Sequence, residues 1–246
     1  MDGTAGNTLA ATPSARALAW RGLPFSLGVV AGMVDVTTFL TLGGLFSAHI
    51  TGNLASVSAD LANDRSLAWA TTLAIPMFIV VTAMATALYD RLVRDPSRSV
   101  VWFLEVQCGL IIVAGALANT LHVSGKPHDL GGIAVALAAV AAMAAQNALL
   151  HLVIARPPAT AVMTGNVVVA TMAATRLLMQ GSRAGPDVRQ AWASHWPLIV
   201  GFLLGCLFAA LAYRWQQDAG WVLSAAASLA ALVAWIVRST GSAGRR

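Results

Sequence analysis

The sequence predicts an all-α membrane protein of six transmembrane helices arranged as two inverted three-helix repeats. Three observations carry this: the composition, six apolar runs of spanning length, and one tripeptide that recurs once in each half. Of 246 residues, 58% are apolar and 10% charged, with a mean hydropathy of +0.73. That leaves too few charges to clothe a soluble globule of this size. A span needs about 20 mainly apolar residues. Such runs lie at roughly 23–46, 67–89, 100–121, 131–154, 192–215 and 219–237. They are continuous Ala, Val, Leu and Ile stretches without the alternation of a barrel strand, so they read as helices.

In chain order, residues 1–20 read as a disordered cytoplasmic tail, 21–122 as the first repeat, 123–238 as the second and 239–246 as a disordered cytoplasmic tail. The first span carries Asp35 near its middle and meets the breaker Gly43-Gly44. Ala48-His49-Ile50-Thr51-Gly52-Asn53 follows, and then 54–62, too short and polar to span, which suits a partial or interfacial helix. The second span contains Pro76, and the third carries Glu105 and Gln107 near its inner end. The fourth span holds Gln146-Asn147; after it come Pro157-Pro158 and Ala161-Val162-Met163-Thr164-Gly165-Asn166. Residues 167–180 are more apolar than their first-half counterpart and suit a longer dip into the bilayer. The fifth span, second of its half, carries Pro197 as the second span carries Pro76, at a different offset from the tripeptide, and the sixth span closes the chain. With six asparagines in the whole sequence, two in one repeated tripeptide mark the halves as related.

The pI near 10.2 does not signal nucleic acid, because the arginines sit in short loops beside spans and orient the protein. In a six-span arrangement the inside set is Arg16, Arg21, Arg91, Arg94, Arg98, Arg156, Arg176, Arg183, Arg189, Arg238, Arg245 and Arg246; the outside set is Arg65, Lys126 and Arg214. Twelve against three favours cytoplasmic termini. If both segments after the tripeptides crossed, the split would weaken to ten against five, and a crossing by 163–179 alone gives seven against eight. Six passes fit best. Three spans per half turn the second half over, the inverted-repeat arrangement of many secondary transporters, which bind at the midplane between halves.

Asp35, Phe46 through the first Thr-Gly-Asn, Gln146-Asn147 and the second Thr-Gly-Asn together resemble the YoaK family of bacterial integral membrane proteins, a domain of unknown function. The resemblance covers roughly residues 20 to 238. It implies a multi-pass protein of the bacterial inner membrane and no settled substrate.

Asp35 should face the protein interior, since an ionised carboxylate turned to lipid costs roughly 2.5–3.5 kcal/mol. Thr38 shares its helical face and can share a hydrogen bond. The carboxyl is read as a proton or cation relay or as a structural hydrogen-bonding group, with the relay favoured. Each Thr-Gly-Asn reads as a helix start after a chain reversal. Thr51, Gly52, Asn53, Thr164, Gly165 and Asn166 then either line a substrate or ion site or satisfy backbone groups at two re-entrant bends. Gln146 and Asn147, one or two residues out of register with Asp35, complete a cavity or glue helices together. His49 and His151 read as packed or interfacial. The spacing of Gly28 with Gly32 and of Gly201 with Gly205 allows close helix approach, inside the chain or in a dimer.

Cys108 and Cys206 lack metal or disulfide spacing, and no cleavable signal, phosphate loop, nucleophile elbow, zinc or haem pattern is found. The expected function is a small-solute transporter or ion-coupled permease, with a non-transporting scaffold or sensor as the alternative. No catalytic constellation supports an enzyme. The bilayer, a small-molecule or ion substrate and a second copy are the partners expected; cofactors, metals and nucleic acid are not.

Overall fold

The computed structural model describes residues 22–92, 96–154 and 159–243; the N-terminal tail and Pro157-Pro158 lie outside the described residues. Among the described residues are eight α-helices: α1 (Gly22–Thr41), α2 (Ile50–Ala62), α3 (Trp69–Leu92), α4 (Pro96–Leu121), α5 (Leu130–Leu152), α6 (Met163–Gln180), α7 (Pro186–Trp215) and α8 (Ala219–Ala243). Seven helical segments are long and apolar enough to cross a membrane, one more than the six expected. The additional one, Thr160–Arg183, is α6 with its flanking 3₁₀ turns. At 13 residues α2 is about 20 Å long and falls short of a span.

Local chemistry sets the boundaries. α1 stops at Thr41, five residues before the expected end at 46, because Gly43 and Gly44 take φ of +70° and +88°. The Gly44 N–H donates back to the Phe39 carbonyl, a glycine-dependent helix end. α7 starts at Pro186, six residues earlier than expected, with Gly185 before it and proline in its first turn. α8 continues to Ala243, so the tail expected to be disordered from 239 is helical that far. Pro76 and Pro197 both lie inside helices.

Two apolar clusters make the core. The first joins Val30 and Val34 of α1, Ala70 and Ala74 of α3, Ile111 and Ala114 of α4, Val135 and Ala139 of α5, and Trp221 of α8. The second joins Leu23 and Leu27 of α1, Ala85 of α3, Phe103 and Leu104 of α4, and Leu149 and Leu150 of α5, with Trp235 of α8 against it. The order in which each helix meets them gives its direction: α1 and α4 run from the second cluster to the first, and α3, α5 and α8 run back. α7 runs with α1, because Gly28 and Gly32 face Leu198 and Phe202 while Gly201 and Gly205 face Phe25 and Val29. The two glycine rows therefore close on each other within one chain. At all four positions a methyl group would sink into a carbonyl oxygen of the facing backbone. Only glycine permits that approach, which brings Cα–H groups against carbonyls.

α1 packs on α7 and α8, α5 on α3 and α4, and α4 on α8, with α2 along α3 and α6 along α7. The most enclosed spans are α1 and α5, 61% and 78% buried against at most 44% for any other. These two carry the intramembrane acid and the Gln-Asn pair.

Candidate functional site

Asp35 lies six residues before Thr41, the end of α1, about 9 Å along the axis, and is 3% exposed. After Gly43-Gly44 the chain turns back to that depth. Asp35 Oδ1 accepts the Ser47 hydroxyl at 3.0 Å and the Ala48 N–H at 2.7 Å, and Oδ2 stands 2.5 Å from His49 Nδ1. The Ser47 hydroxyl, the Ala48 N–H and the His49 ring together give this buried acid the partners it requires. Thr38 does not join them: its hydroxyl donates to the main-chain carbonyls of Val34 and Asp35.

The tripeptides sit in the first helical turn and do not cap it. α2 begins at Ile50 and α6 at Met163; the residues before them, His49 and Val162, make no side-chain cap bond. The asparagines reach back to the incoming chain. Asn53 clamps Phe46 twice, donating from Nδ2 to its carbonyl at 2.7 Å and accepting its N–H on Oδ1 at 2.9 Å. Asn166 donates to the Ala159 carbonyl at 2.8 Å. Stranding one such buried group would cost about 1–3 kcal/mol. Gly52 is glycine because a methyl there would meet the Phe46 ring at 2.8 Å. Thr51 and Thr164 are exposed and Gly165 is half-buried, so the two threonines do not turn into the core.

The second half repeats the arrangement with different side chains. Asn147 Oδ1 accepts the Thr160 hydroxyl at 3.2 Å and the Ala161 N–H at 3.1 Å. Asn147 thus stands where Asp35 does, Thr160 where Ser47 does and Asn166 where Asn53 does, with one more residue between the first and second members. Gln146, its neighbour, donates to the Thr160 hydroxyl at 3.1 Å and to the Leu27 carbonyl of α1 at 3.2 Å. His151 approaches only the Asn147 main-chain carbonyl.

His49 is the residue that sequence reasoning missed. Its side chain is 23% exposed while that of Asp35 is 3%, so the imidazole reaches from the buried carboxylate to the protein surface. Its ring stands edge-on to Phe202 of α7, centroids 5.4 Å apart. The signal available was asymmetry: the same place in the second motif is Val162. Among the described residues, no group of His, Cys, Asp and Glu is placed to hold a metal ion.

The chain belongs to the family described as protein of unknown function (DUF1275), whose profile matches residues 23–236. No curated protein and no solved structure matches it.

Proposed function

We propose, taking that membership as the premise, that the protein is a small-solute transporter or ion-coupled permease of the bacterial inner membrane in which Asp35 and His49 form the proton-loading pair. One internal comparison carries this. Asn147 fastens the second bend with a neutral amide, accepting a hydroxyl and a main-chain N–H as Asp35 does in the first. An amide is therefore sufficient for the architecture. A carboxylate at mid-span costs more to insert, and its imidazole partner has no counterpart in the second half. An ionisable pair there is surplus to the fold but suited to carrying a proton.

A proton arriving at the partly exposed imidazole makes an imidazolium–carboxylate pair, whose charge-assisted bond holds residues 47–49 against α1. Loss of that proton weakens the bond and loosens the bend. The Phe202 contact passes the movement to α7, which is locked to α1 by the glycine seam.

The inverted repeat has two supports. The Gly125 N–H, in the loop after α4, donates to the Thr41 carbonyl at 3.0 Å, so α4 ends beside the end of α1. With α7 also parallel to α1, α2 and α6 each return the chain to the face from which it came, as re-entrant segments do. Three pairs of packed helices also exchange with the halves, α1–α7 with α5–α3, α4–α5 with α8–α1, and α2–α3 with α6–α7, whereas among the described residues the α7–α8 packing has no counterpart. Arg91, Arg98, Arg183, Arg189 and Arg238 lie at the end nearer the second cluster, against Arg65, Lys126 and Arg214 at the other, which favours cytoplasmic termini.

The alternative, a non-transporting scaffold or sensor, is favoured by the closure of the asparagine hydrogen bonds inside the protein. His49→Val separates the two, since it installs the residue that the second half already uses. The permease reading expects a folded protein whose proton-coupled uptake in proteoliposomes is lost. Wild-type uptake by that variant removes His49 from the proton-loading pair, and no uptake by the wild type for any solute tried puts the scaffold ahead.

A further inference from the structure

Between the two apolar clusters lies a polar layer. Gly131 of α5 packs on Leu121 of α4. Counting fourteen residues back along α4 and fourteen forward along α5 brings Gln107 level with Ala145, beside Gln146. Gln107 is fully buried on the helical face shared with Phe103, one turn before, and Ile111, one turn after; these belong to the second and first clusters respectively. Ser228 of α8, buried, lies within reach of the Cys108 thiol at this level. Among the described residues, neither amide atom of Gln107 has a hydrogen-bond partner, and Gln146 Oε1 has none. Each such atom costs about 1–3 kcal/mol, which a leucine in the same place would avoid. Fold economy does not account for three of them at one depth.

We infer that Gln107 and Gln146 form the binding site for a small uncharged solute of the carboxamide or urea type. This rests on the permease reading and names its substrate class. A planar amide presents a donor and an acceptor side by side, matching the unpartnered Oε1 and Nε2 of Gln107, and its second N–H can reach Gln146 Oε1. Gln107, Gln146, Cys108 and Ser228 carry no formal charge, which disfavours an ionic solute. The apolar clusters then act as the gates on either side, Val34, Ile111 and Trp221 at one and Leu27, Phe103 and Leu149 at the other. Gln146 bonds at Leu27, eight residues before Asp35 and about 12 Å from it along α1, so the solute and proton sites are separate.

The test uses the full chain in proteoliposomes, with acetamide as the probe and vesicle swelling as the readout. Wild-type vesicles are expected to swell faster than protein-free ones, and Gln107→Leu to lower the protein-dependent rate at least tenfold while raising Tm by a few degrees. Wild-type swelling with Gln107→Leu, or a lowered Tm showing that the protein itself engages the amide, overturns the inference and leaves the permease reading standing. So does a wild type that ignores acetamide yet couples protons to a charged solute. Absence of flux for every solute in the wild type overturns both.

Discussion

Asp35→Asn is expected to abolish proton-coupled uptake while leaving the protein folded. The asparagine oxygen keeps the Ser47 hydroxyl and the Ala48 N–H, as Asn147 keeps Thr160 and Ala161 in the other half. Its Nδ2 can donate to His49 Nδ1 once the ring takes its other tautomer. The loss is the difference between a charge-assisted and a neutral hydrogen bond, about 1 kcal/mol. What disappears is the negative charge that holds a proton on the His49 ring in the proposed pair. Uptake driven by a proton gradient should fall to the level of protein-free vesicles, with downhill solute movement retained. Asp35→Leu provides the contrast, because it strands the buried Ser47 hydroxyl and Ala48 N–H and leaves the His49 ring without its partner, and should cost about 3–5 kcal/mol of stability. A thermal melt and a flux measurement on both variants check this. Gradient-driven uptake at the wild-type rate in Asp35→Asn makes the acid structural.

The largest structural effect is expected at the glycine seam. In Gly205→Ala the new methyl points at the Val29 carbonyl oxygen, and in Gly201→Ala at that of Phe25. Backbone cannot move aside as a side chain can, so α1 and α7 must separate along their whole contact. A single substitution should cost the upper part of about 1–3 kcal/mol, and the double variant should yield little folded protein. Gly109→Ala in α4 is the control: a methyl there meets nothing within 4 Å, and the exchange should be neutral or slightly stabilising. Melts of the four variants in one detergent decide the matter; a tolerated double variant would refute the close seam.

Much of the fold was legible because lipid imposes a simple rule: apolar runs of the right length become helices, and Gly43-Gly44 breaks one where φ must be positive. Periodicity says nothing about which helices meet. The spacing of Gly28 with Gly32 and of Gly201 with Gly205 announced close packing, and only the fold reveals that the two rows face each other. The same limit hid the site. Asp35 was legible as an intramembrane acid, but His49 lies fourteen residues on and becomes its partner only because the chain folds back. The tripeptide looked like a cap because Asn and Thr commonly cap helices; here the asparagine fastens a residue seven positions earlier, a contact invisible to local propensity. Gln107 looked like a residue near a span end, and the isolation of its amide shows only once the helices have packed around it.

The claim from which the rest follows is that α2 and α6 return to the face they leave, so that the two halves are inverted. Ser66, after α2, and Ser182, after α6, are both exposed. In a background with Cys108 and Cys206 replaced, Ser66→Cys and Ser182→Cys should react with a membrane-impermeant maleimide from opposite faces, the first from outside and the second only after the cytoplasmic face is opened. Reaction of both from one face, the outcome for a chain of seven or eight passes, would contradict the account.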